Sequence, residues 1–239
     1  MKVIVDKREN IASLAADLYK EVLDRKPDAV LGFATGSTPL DLYAELKRRV
    51  KAGKLSFRDV TTFNLDEYVG LEPTHDQSYR YFMDKNLFEE IDLDPARVHI
   101  PSGLNVGDRE IRAYEDAIVA AGGIDMQLRG SGHNGHIGFN EPNTPFGSLT
   151  HKVTLPDSTI EANSRFFASR DEVPKEAVTM GIRTVMNARR LVLIALCEGK
   201  AEIIRKTVYG PVTESVPASV LQLHPDAYIF ADHDAAKYL

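Results

Sequence analysis

Short β-branched and aromatic runs alternate with helical patterns of period 3.6 along almost the whole chain, and this alternation is its strongest constraint on fold. The runs at 2–5, 30–34, 60–65, 98–100, 124–128, 152–155, 191–196 and 227–231 read as strands. The first helical pattern has Asn10 as its N-cap and Ile11, Leu14, Leu18 and Val22 on one face, and ends at Pro27. The second opens at Pro39, suited to a first helical position, with Leu40, Tyr43, Leu46 and Val50 as its apolar stripe. Further helices are predicted near 78–91, 109–121, 200–208 and 218–223. Such alternation predicts the α/β class: a single Rossmann-like three-layer domain over residues 1–239, with a mostly parallel sheet and helices on both faces. No repeat, low-complexity tract or linker-like composition shift divides it.

Composition narrows the partners. A hydrophobic share of 43% allows a sizeable core, and a formal net charge of -6 opposes a general nucleic-acid or anionic-membrane surface. It leaves room for a local phosphate site, which needs only a few backbone N–H groups and one or two cations. The start of the chain lacks the pattern of a signal peptide, and no apolar run is long enough to span a bilayer; a cytoplasmic protein is expected. The one cysteine, Cys197, ends the apolar run LVLIALC, where it reads as a small buried hydrophobe.

Ligands of open parallel sheets gather beyond the carboxyl ends of the strands. The polar segments 35–38, 66–67, 130–141 and 198–200 all fall at such ends. In the loop of Thr35, Gly36, Ser37 and Thr38, a glycine turn, hydroxyl donors and a new helix N-terminus would suit a phosphate; the same residues would also make an ordinary helix cap. Residues 130–135 match G-x-G-x-x-G, yet Pro142 and Pro145 oppose the helix a dinucleotide site needs, so NAD is not the expected ligand. Asn134, His136 and Glu141 instead suggest a proton-transfer group, a histidine whose tautomer a carboxylate fixes; backbone hydrogen bonding by the loop is the plainer alternative. A zinc site of His133, His136 and Glu141 lacks helical spacing and a further ligand cluster. Asp66 is either a general base at a strand end or a turn cap, while Arg165 and Lys200 are phosphate cations or solvated charges.

Taken together, the stretches 63–71, 134–142, 162–167 and 221–225 closely resemble the glucosamine-6-phosphate deaminase family, in the family's order and across nearly the whole chain. The resemblance implies a role in amino-sugar catabolism, with glucosamine 6-phosphate as substrate and no metal or organic cofactor. It implies that Asp66 moves a proton from C2 to C1 and that His136, supported by Glu141, opens the sugar ring. Asn134 stands where some relatives carry Asp, and would orient His136 without adding negative charge. Gly36, Ser37, Thr38, Arg165 and Lys200 would hold the phosphate.

The chain departs from the family's pattern in three places. Arg129 and Ser131 stand where members typically carry apolar residues, and an unpaired buried arginine would cost several kcal/mol. His151 and Val153 stand where hexameric allosteric relatives have cations, so no activation by an acetylated amino-sugar phosphate is expected. The chain also stops soon after Asp232, which favours a monomer or small homo-oligomer. The competing functions are 6-phosphogluconolactone hydrolysis, which needs no C2 base, a non-catalytic sugar-phosphate sensor and, last, a dehydrogenase.

Overall fold

The computed structural model describes residues 1–130 and 132–239; Ser131 lies outside the described residues. In chain order the elements are β1 (Lys2–Asp6), α1 (Arg8–Arg25), β2 (Val30–Phe33), α2 (Leu40–Lys51), β3 (Thr61–Asn64), β4 (Asp66–Tyr68), α3 (Tyr79–Asn86), β5 (Val98–His99) and α4 (Asp108–Ala120). They continue with β6 (Met126–Gly130), β7 (His151–Thr154), α5 (Asp157–Ser164), β8 (Glu176–Thr179), α6 (Ile182–Met186), β9 (Arg190–Ala195), α7 (Ala201–Tyr209) and β10 (Ala227–Asp232).

Seven strands form one parallel sheet in the order β1-β10-β9-β6-β2-β3-β5. From β2 the chain winds outward through β3 and β5, then returns to β6 on the other side of β2 and winds the opposite way. The crevice between the carboxyl ends of β2 and β6 is therefore the topological switch point, where such sheets bind ligands. Both faces are covered, as parallel strands require. Along β9, Val192 and Ile194 join a core with Tyr19, Phe33 and Leu46, while Leu191 and Leu193 join the opposite core with Phe63 and Ile204. Each large apolar side chain so buried contributes about 1.5–3 kcal/mol.

The α/β class and the main strands are as the sequence pattern predicts. Several boundaries differ, for local reasons. The first helix begins at Arg8, so Asn10 is not its cap; its amide instead donates to Asp6. The helix predicted at 78–91 breaks after Asn86 into a short 3-10 turn, and the one predicted at 218–223 is 3-10 throughout. That second segment, predicted as helix, is tied down by Gln222, which donates to the Thr207 and Gly210 carbonyls, and by His224, whose ring contacts Ala188 O.

A second sheet, β4-β8-β7, is antiparallel; of its strands only β7 matches a predicted run, that at 152–155, since the strand of Asp66, Glu67 and Tyr68 has no apolar alternation. Cys197 is exposed rather than buried. The chain leaves β9 at Ala195 and turns at Cys197 with φ 74°, which carries the thiol out to the Arg8 guanidinium, 3.2 Å away. Among the described residues, no helix is long and apolar enough to cross a membrane.

Arg129 is as buried as the sequence implies. It pairs in register with Leu193 on the core face of β6, and none of its three guanidinium nitrogens has a hydrogen-bond partner among the described residues. Burial pushes its pKa down to about 9.

Candidate active site

A cleft of about 690 Å³ opens over the switch point. One end is built from the turn after β2. Gly36 has φ 100°, which only glycine adopts without strain, and this lets Thr35, Ser37 and Thr38 wrap the start of α2. The Tyr43 hydroxyl on α2 bonds to Ala34 O and so anchors the turn to the sheet. The cap position of α2 is Pro39, with no side-chain cap; Leu40 N–H reaches back to Ser37 O, which leaves the N–H groups of Asp41 and Leu42 without an acceptor among the described residues.

Arg165 and Lys200 line the same cleft, from the C-terminal end of α5 and the turn before α7. Neither has an acidic partner within salt-bridge distance among the described residues. The Arg165 guanidinium lies 4.6 Å from the Phe166 ring centroid, and burial lowers the Lys200 pKa. His133 lines this end as well, considered in the sequence only as a metal ligand. Its pKa is lowered chiefly by the Lys200 charge, then by burial, His136 and Arg165. Three cationic or cationisable groups thus share one end of the cleft.

The other polar group sits on β4 and the loop after β6. Asp66 opens into the cleft from β4 and is 6% exposed. No side-chain hydrogen bond from the described residues reaches its carboxylate; burial, then the neighbouring Glu67 charge, pushes its pKa up to about 8. Glu67 points away and accepts the backbone N–H groups of Tyr68, Tyr79 and Arg80, pinning the start of α3 to β4. The loop comes close because residue 138 is glycine, with φ 58°. A Cβ there would stand 3.1 Å from Asp66 Oδ2 and 2.7 Å from Thr179 Oγ1.

His136 and Glu141 lie side by side, although Nδ1 of His136 has no hydrogen-bond partner among the described residues. Nδ1 of His136 is 3.5 Å from Glu141 Oε1. Glu141 also accepts from Asn134 Nδ2 at 2.6 Å and Thr159 Oγ1 at 2.7 Å. Burial would raise its pKa, but His136, Thr159 and Asn134 together hold it down to about 2. Asn134 Oδ1 accepts the His136 backbone N–H, so its amide spans both partners. An ionised carboxylate at 134 could not donate to Glu141, as this amide does. Thr159 was not anticipated, since α5 has little apolar periodicity; the Pro156-Asp157 start signal was the cue available. No three His, Cys, Asp or Glu side chains gather as metal ligands among the described residues.

Fold and site together define a doubly wound α/β protein with a glycine turn at a helix N-terminus, a buried carboxylate and a histidine beside a second carboxylate around one cleft. The family model for glucosamine-6-phosphate isomerases/6-phosphogluconolactonase matches residues 6–229, and the chain belongs to that family. It is 50% identical to a glucosamine-6-phosphate deaminase of Hahella chejuensis, over 99% of this chain and 91% of that one. A deaminase of Thermoanaerobacter pseudethanolicus is 49% identical over 100% and 95%. Among solved structures, a monomeric glucosamine-6-phosphate deaminase superposes with a TM-score of 0.97 at 44% identity, covering 100% of both chains. The 6-phosphogluconolactonase of Leishmania guyanensis, at 18% identity and a TM-score of 0.76 over 100% and 98%, shares the fold.

Proposed function

We propose that the chain is a glucosamine-6-phosphate deaminase, converting glucosamine 6-phosphate and water to fructose 6-phosphate and ammonia. The observation that carries this is Asp66: a buried carboxylate in the same cleft as His136, Arg165 and Lys200, with Glu141 behind the histidine. A lactonase has no use for a base there, and the two named relatives at about half identity are deaminases.

Phosphate binding falls to the Gly36, Ser37 and Thr38 turn, Arg165 and Lys200. These contacts are remote from the reacting carbons and hold the flexible open chain in place. His136, oriented by Glu141 and Asn134, moves a proton between the anomeric hydroxyl and the ring oxygen as the ring opens. Asp66 then takes the C2 proton and returns it to C1, leaving an iminium at C2; water adds there and ammonia departs. Burial raises the Asp66 pKa to about 8, and the substrate ammonium beside it would favour the ionised base on binding. A single domain, a monomeric or small homo-oligomeric state and a cytoplasmic setting belong to the same reading.

The test is ammonia and fructose 6-phosphate measured together, for wild type and Asp66→Asn. Equal amounts of both from wild type, lost by about 10²-fold or more in the variant, are expected. Hydrolysis of 6-phosphogluconolactone without ammonia release would overturn the proposal.

A further inference from the structure

We propose that Thr159 is a positioning residue for ring opening, its hydroxyl holding Glu141 in register with His136. This rests on the deaminase reading and goes beyond it, to how the proton-transfer pair is kept in place.

The carboxylate of Glu141 is held at two corners. Asn134, from its own loop, donates to Oε2 at 2.6 Å, and Thr159, from α5, donates to Oε1 at 2.7 Å. Oε1 is also the atom that faces His136 Nδ1, at 3.5 Å. A bond at Oε2 alone would act as a pivot, about which Oε1 could swing away from the imidazole. The second bond removes that freedom. A threonine in a helix often turns its hydroxyl back to a carbonyl three or four residues earlier. Here the backbone N–H of Thr159 serves Pro156 O, while the hydroxyl reaches 18 residues back along the chain.

The helix that carries Thr159 is itself seated. Ile160, the next residue, is buried in a cluster with Tyr68, Phe139 and Val173. The same helix ends at Arg165, in the cationic end of the cleft. One short element therefore touches the phosphate end and the ring-opening pair together. A substrate phosphate drawing on Arg165 would steady the hydrogen bond that orients Glu141. The charged and polar side chains facing Glu141 are His136 and Asn134 from its own loop and Thr159 from α5.

Thr159→Val keeps the shape and removes the donor; Thr159→Ser keeps the donor. With glucosamine 6-phosphate, the valine variant should lose about tenfold in kcat with KM within about twofold, and the serine variant should recover most of the loss. Binding of 2-amino-2-deoxyglucitol 6-phosphate, which has no ring to open, should be the same in all three proteins. Unchanged kcat in Thr159→Val would overturn the proposal. So would equal losses in both variants, or a parallel loss of affinity for the open-chain compound, since each points to a general effect on α5. Wild type that releases no ammonia would sink the deaminase reading itself; active wild type with an undiminished valine variant sinks only the role of Thr159.

Discussion

Asn134 Nδ2 stands 2.6 Å from Glu141 Oε2, so an amide rather than a second acid shares the carboxylate beside His136. The contact has a direct consequence for acidity. Glu141 is held at about 2 partly because Asn134 donates to it.

In Asn134→Asp, two carboxylates would meet at that distance, and their repulsion would raise the pH at which the second of them ionises. The pair should take up a shared proton as pH falls, giving an acidic limb in kcat between about pH 4.5 and 6.5. Wild type should show no such limb from Glu141, whose proton is lost near pH 2. A pH–kcat profile checks this; superimposable profiles would contradict it.

Arg129 places an unpaired guanidinium on the core face of β6, against the Leu193 register position. Arg129→Leu should raise stability by about 1–4 kcal/mol, the range in which buried ionic groups yield to apolar ones, or roughly 2 °C or more in Tm. The pH dependence has a defined sign. The folded pKa, about 9, lies well below the ordinary arginine value, so between the two the unfolded chain binds more protons and the wild type gains stability as pH rises. The advantage of the leucine variant should therefore shrink from pH 8 to pH 10. Thermal melts of both proteins at these two pH values decide it, and a lower Tm for Arg129→Leu at pH 8 would refute the argument.

No free cation faces solvent at the positions where allosteric relatives carry them. His151 bonds through Nδ1 to Leu149 O at 2.7 Å, and Val153 packs against the cluster around Tyr68. Lys152, between them, is paired with Glu176 at 3.1 Å. Initial rates should follow a hyperbola in substrate and be unmoved by N-acetylglucosamine 6-phosphate. Sigmoidal rates that this compound makes hyperbolic would contradict the expectation.

The parallel sheet was legible in the chain because strands buried on both faces must be continuously apolar, and the runs at 30–34 and 191–196 are. Asp66, His136, Glu141 and Lys200 were legible as polar residues placed where such strands end. Other features were not. The strand of Asp66, Glu67 and Tyr68 is all polar or aromatic, and its partner β8 lies more than a hundred residues away, so no local pattern announces their pairing. Cys197 read as core because hydropathy does not say at which residue a strand leaves the sheet.

What the sequence by itself determined is the set of elements, since hydrophobic periodicity and turn chemistry act within a few residues, and the kinds of chemical group available at strand ends. Only the tertiary structure decided which groups meet. The switch point between β2 and β6 brings residues 36, 66, 136 and 200 to one cleft, and α5 delivers Thr159 to Glu141. Such contacts depend on strand order and on the seating of a helix, which are settled by packing between distant segments and not by the residues beside them in the chain.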